Sequence, residues 1–333
     1  MSGAATPEAR IGTDPESAQG LIDRAEHLIG VRRYTEALPW LGRALAAEPE
    51  NARAYCFMAL AFLSLGDYTK AFAAAERAVA ADPEDEWPHR LLSIALHENG
   101  KRRAALQAAR EAVRLGPDVP EALFTLVRAQ LACRRRLEAA ATVQHLITVA
   151  PGEVLTHRAL GDVAMARRDW RGAEMHFRRA VTRDPESYVA LNNLGLVLHR
   201  LGRDREAIER FHEAARANPA AGEARGNLIG AVRRFQQPSI PLLAAGVVIG
   251  ALARATSFQP VVFGLLLLGW VAGYLVWRKH RLQWLPPGAA TVYAQAGVWR
   301  NGPFAPAAYL TMRALSAVTA IFLAAWWRLR PRR

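Results

Sequence analysis

Arg53, Arg90, Arg128 and Arg158 are the residues of this chain best suited to hold a ligand. A guanidinium presents a planar fork of N–H donors that grips a carboxylate through two charge-assisted bonds. Asn192, Asn193 and Asn227 add side-chain amides, which donate and accept at once and so match the alternating C=O and N–H groups of an extended peptide. Covalent chemistry has no comparable signal. The sequence holds no Gly-rich phosphate loop, no nucleophile elbow and no paired-histidine metal signature. Its nine histidines are scattered and are expected to be hydrogen-bonded or exposed rather than ligating. Cys56 and Cys133 lack metal spacing and are expected as free thiols in helix packing. The chemistry on offer is recognition, with no catalytic residue, cofactor or metal expected.

The elements that must carry these side chains follow from a second pattern. Pro15, Pro49, Pro83, Pro117, Pro151, Pro185 and Pro219 lie 34 residues apart without a slip. Such a fixed period marks a repeated structural unit. Small residues keep the same phase. Ala37, Ala71, Ala105, Ala139, Ala173 and Ala207 recur once per period. So do Ala25, Ala59, Ser93, Val127, Gly161 and Gly195, the points where two helices must approach closely. Proline ends each unit because it cannot continue a helix. Inside a unit, Gly66, Gly100 and Gly202 supply a tight turn, whereas Arg32, Arg134 and Arg168 stand at the same phase and must adopt it with a side chain.

The period, the phased alanines and the closing proline resemble the tetratricopeptide repeat (TPR), and the block from Leu191 to Pro219 is similar to that family's consensus nearly throughout. The resemblance implies an all-α, right-handed superhelical solenoid of six helix pairs plus a capping helix, near residues 221–235. It also implies a concave groove lined by the first helix of each pair. Counting from each proline places Arg53, Arg90, Arg128, Arg158, Asn192, Asn193 and Asn227 on that lining, interleaved with Phe57, Trp87, Leu91, Phe124 and Thr125. Chaperone-binding members of the family hold a C-terminal carboxylate in a clamp of Lys and Asn. Arg158 and Asn193 match two phases of that clamp, Asp162 stands where it has Asn, and Asn227 where it has a base, so the match is partial. The same side chains would also suit an ordinary solvated surface.

Charge and hydropathy divide the chain. From residue 236 onward there are nine Arg and one Lys with no Asp or Glu, so the basic excess lies in the tail, which argues against a nucleic-acid partner. Segments 239–258, 260–277 and 308–327 are apolar enough to read as membrane helices. Gly246 with Gly250, and Gly269 with Gly273, give the spacing at which such helices pack. Arg233 and Arg234 before the first span, and Arg278, Lys279 and Arg281 after the second, place that side and the repeats in the cytoplasm. The expected organisation is a disordered leader over 1–14, a solenoid over 15–235 and a membrane region over 236–333. The expected function is a non-catalytic, multi-pass, membrane-anchored scaffold that binds a carboxylate-bearing protein or peptide on the cytoplasmic side. Self-association through the membrane helices into a larger assembly is the alternative, and a transporter or enzyme in the membrane region a lesser one.

Overall fold

The computed structural model describes residues 16–219 and 222–235, with residues 268, 269, 272 and 273. Among the described residues there is no strand and there are thirteen numbered helices. They are α1 (Ala18–Gly30), α2 (Tyr34–Ala47), α3 (Ala52–Leu65), α4 (Tyr68–Ala81), α5 (Glu86–Glu98), α6 (Arg102–Leu115) and α7 (Pro120–Ala132). There follow α8 (Arg136–Val149), α9 (Val154–Ala166), α10 (Trp170–Arg183), α11 (Tyr188–Arg200), α12 (Asp204–Ala217) and α13 (Gly222–Phe235). The chain falls into two compact units, residues 1–185 with α1–α10 and residues 186–333 with α11–α13.

Local chemistry sets the helix ends. Ser17, Asn51, Asp67, Asp85 and Asp169 cap helix starts by accepting from a backbone N–H two or three residues on. Every first helix of a pair ends in a residue with positive φ: Arg32, Gly66, Gly100, Arg134, Arg168 and Gly202, between 61° and 78°. The next residue then donates its N–H five positions back, as Asp67 does to Phe62 and Arg135 to Gln130. This is the Schellman closure, repeated once per pair. The chain thus turns within three residues, and each second helix packs on the first.

In the first unit, α1, α3, α5, α7 and α9 touch in succession, and α2, α4, α6 and α8 each lie against their own partner and the next first helix. The phased alanines make this possible. Ala37, Ala71, Ala105, Ala139 and Ala173 are fully buried, as is Ala207 in the second unit. Val127 and Val143 fill the α7–α8 contact, whereas Gly161 faces Phe177 and Gly195 faces Phe211. The small-residue position therefore shrinks where its partner grows, which keeps total volume near constant.

Pro39 lies at the sixth position of α2, past the first turn, so the carbonyl of Thr35 loses a helical donor. Pro88 does fall in the first turn, of α5. No helix among the described residues is long and apolar enough to cross a membrane. Segments 239–258 and 308–327, with Gly246 and Gly250, lie outside the described residues, as does most of 260–277. Gly269 and Gly273 are helical, with open space where a Cβ would stand.

Candidate functional site: the first-helix face

The four arginines lie on four successive first helices of the first unit, α3, α5, α7 and α9. Three are held by acidic partners. Arg53 Nη2 donates to Glu26 Oε2 at 2.7 Å, from α3 to α1. Arg128 Nη2 reaches Glu98 Oε1 at 3.5 Å, from α7 to α5. Arg90 pairs within α5, its Nε 3.1 Å from Glu86 Oε2, with both side chains largely shielded. The separations of 27 and 30 residues in the two inter-pair contacts are the signal that could have found Glu26 and Glu98. An acid somewhat less than one period before an arginine reaches it from the preceding first helix.

The apolar residues expected between the arginines lie beneath them instead. Phe57, Leu91 and Phe124 are buried, and Phe57 meets Trp87 edge to face with ring centroids 5.1 Å apart. Thr125 is buried too, its hydroxyl donating to the Glu121 carbonyl at 2.8 Å. These rings give the arginines a floor. The Arg53 guanidinium carbon lies 5.5 Å from the Phe57 centroid, and that of Arg158 lies 4.7 Å from Phe124. Cation–π contact fixes the orientation of a flat, weakly hydrated cation. Asp162, one turn after Arg158 on α9, has its carboxyl pushed up to about 6 by burial, against the opposing pull of Arg158 and Arg128.

In the second unit the amides have another role. Asn192 is buried on α11, and its Oδ1 accepts from Asn227 Nδ2 of α13 at 2.9 Å. Its own Nδ2 faces Glu223 Oε1 at 3.5 Å. Asn192 and Asn227 are thus brought together as a clasp between α11 and α13. Asn193 is half-buried on α11.

The histidines also differ from expectation. Nδ1 of His97, His157 and His176 is buried without a hydrogen-bond partner. His89 does bond, to the Pro83 carbonyl at 3.0 Å. Cys56 is buried and free, with its thiol raised to about 12 by burial first and by nearby acids, and Cys133 is also free. No three His, Cys, Asp or Glu side chains converge as a metal site among the described residues.

The tetratricopeptide repeat family model matches residues 22–86, 91–150 and 158–221, more than half of the chain. The chain belongs to the tetratricopeptide repeat family. Among solved structures, the TPR region is similar to a chain of the APC/C hetero-tetramer Cut9–Hcn1, at 17% identity with a TM-score of 0.53. That match covers 66% of this chain and 44% of the other, so this TPR chain spans less than half the length of its structural relative. It is similar also to the human IFIT1 dimer with PPP-AAAA, at 17% identity and a TM-score of 0.53, over 80% of this chain and 73% of that one. At such identity the likeness is one of fold. No curated protein matches the chain. TPR solenoids are repeat scaffolds, a fold suited to protein–protein interaction.

Proposed function

We propose that the chain is a non-catalytic, membrane-anchored scaffold whose repeats face the cytoplasm and bind a carboxylate-bearing peptide segment on the first-helix face. The observation that carries the reading is the run of arginines on α3, α5, α7 and α9, three of them already in ion pairs with acids. The Arg53–Glu26 and Arg128–Glu98 pairs are about one-third to one-half exposed. Exposed pairs of this kind contribute roughly 0–1 kcal/mol. A partner carboxylate that gains a bidentate grip and backbone bonds can displace the resident acids. The anchor is assigned to the apolar segments within 236–333, and the orientation to the arginines and lysine that flank them.

Two experiments test this. The full chain in native membranes should resist carbonate extraction, and release by carbonate would remove the anchor. The purified full chain should select peptides enriched in Asp and Glu from a random displayed library, and selection of neutral or basic peptides would remove the groove chemistry.

A further inference from the structure

The two ends of the helix pairs in the first unit carry opposite charge. The turns within pairs read RRYTE (32–36), GDYTK (66–70), GKRRA (100–104), RRRLE (134–138) and RDWRG (168–172), eleven Lys or Arg against four Asp or Glu. The connections between pairs read EPENA (48–52), DPEDE (82–86), GPDVP (116–120) and APGEV (150–154), eight acids and no Lys or Arg. Helices of 13 or 14 residues separate these ends, a rise of about 20 Å. That exceeds the Debye length of roughly 8–10 Å, so the two edges present independent fields.

Hydrophobic exposure is just as unequal. Five large apolar side chains are exposed among the described residues of the first unit, and four stand at the basic turns: Val31 (52%), Leu65 (43%), Tyr68 (37%) and Leu137 (84%). The acidic edge has none among the described residues. Backbone geometry adds a third sign. Arg32, Arg134 and Arg168 hold the left-handed conformation at φ 61–63°, where Gly66 and Gly100 do the same without a side chain to accommodate. An L-residue is disfavoured there and glycine is not. Each of these three turns carries a guanidinium at its tip despite that strain. Arg102, Arg103, Arg134, Arg136 and Arg168 are exposed, and none joins an ion pair among the described residues.

From these features we infer that the basic edge of the first unit rests on an anionic lipid surface, its arginines on the headgroups and Leu137 with the other apolar tips at the acyl boundary. Each basic residue at an anionic surface strengthens binding on the order of fivefold, and apolar side chains add burial. A second copy meeting this edge with its acidic one would satisfy the charges but would leave the four apolar tips facing acids. A nucleic acid would satisfy the arginines and leave those tips in water. Only the bilayer surface accounts for both halves of the pattern. The contact is distinct from the peptide face proposed above, and it does not require the tail to span the membrane.

The test uses the full chain with Leu137→Cys carrying an environment-sensitive fluorophore, and Cys133→Ser to leave one reactive thiol, since Cys56 is buried. The chain is reconstituted with vesicles of phosphatidylcholine alone or mixed with phosphatidylserine. Emission from position 137 should shift to the blue only with the anionic vesicles and return in high salt. A label at Glu84→Cys on the acidic edge should not respond. Arg102→Gln, Arg134→Gln and Arg136→Gln together should weaken the docking equilibrium on the order of a hundredfold. Arg134→Gly alone should raise the unfolding midpoint yet weaken docking, a split that a purely structural arginine would not give. A silent label on anionic vesicles overturns the inference while leaving an anchoring tail intact. So does an equal shift on neutral vesicles, which assigns the contact to the tail. A shift produced without vesicles, by a single-stranded oligonucleotide or by raised protein concentration, overturns it in favour of a nucleic acid or a second copy.

Discussion

The ring of Phe177 occupies the space that a side chain at Gly161 would take: a Cβ built there stands 2.7 Å from Cε1 and Cζ. Gly195 and Phe211 repeat the relationship one period later, again at 2.7 Å. Ring and glycine are thus one packing decision made twice. Gly161→Ala should destabilise the fold by about 1–2 kcal/mol, the strain of overpacking outweighing the better helix propensity of alanine. Adding Phe177→Leu should recover part of the loss. Gly42→Ala, in α2 with open space around it, should instead stabilise by about 0.5–1 kcal/mol. Thermal unfolding of the three variants checks the signs, and a harmless Gly161→Ala would contradict the contact.

Acidification should loosen the helix pairs. The rings of His157 and His176 stack with centroids 6.0 Å apart across α9 and α10. Burial pushes both below the ordinary imidazole value of 6.5, assisted by Arg179 and Arg183 beside His157, and by His157 and Arg179 beside His176, where Asp169 opposes. His97 and His212 are depressed for the same first reason. With folded values below unfolded ones, the unfolded chain binds more protons just under 6.5, so stability is full above that pH and falls as pH drops through it. His157→Gln with His176→Gln should flatten the fall of the unfolding midpoint between pH 7 and 5. An unchanged slope would mean that the pair does not titrate on unfolding.

Asp162 works in the opposite sense. Its folded value of about 6 lies above the ordinary 3.8, so the folded chain binds more protons between these values. Its charge therefore costs stability at pH 7, and the cost fades as pH falls from about 6 toward 3.8. Asp162→Asn should stabilise by on the order of 1–2 kcal/mol at pH 7, since burial outweighs the opposing pull of Arg158 and Arg128 in the folded value. Chemical denaturation at pH 7 and pH 4 separates the two regimes, and a destabilised variant at pH 7 would show that the ion pairing wins.

The repeat architecture could be read from the chain because one period fixes many positions at once. Arg32, Arg134 and Arg168 were expected in the turn that glycine takes elsewhere, and all three have positive φ. Ala105 and Ala207 were expected in helix contacts and are fully buried. What period and phase could not resolve is depth. Phe57 and Thr125 share a phase and turn inward, whereas Arg53 and Arg128, about one turn away on the same helices, turn outward. Pairings between repeats were also hidden, since the acid that meets an arginine comes from the preceding helix. Asn192 looked like a reader of peptide backbone because its burial by α13 leaves no mark in the sequence.

The clasp of α13 gives a further expectation. Asn227→Ala removes the donor to Asn192 Oδ1 and leaves a buried amide acceptor with one bond fewer. The loss should be about 1–2 kcal/mol. It should appear as faster amide exchange in α13 before any change in α1–α10. Uniformly unchanged exchange would mean that the amide pair does not hold α13.

Affinity against ionic strength tests carboxylate recognition by the first-helix face most directly. The probe is an acidic peptide taken from the library selection, titrated into the full chain and into its Arg128→Ala, Arg158→Ala variant. The parent should bind more weakly as salt rises. The double variant should bind about tenfold more weakly at low salt and show a flatter salt dependence. Equal binding by parent and variant at low salt would contradict the assignment and move the contact off α7 and α9.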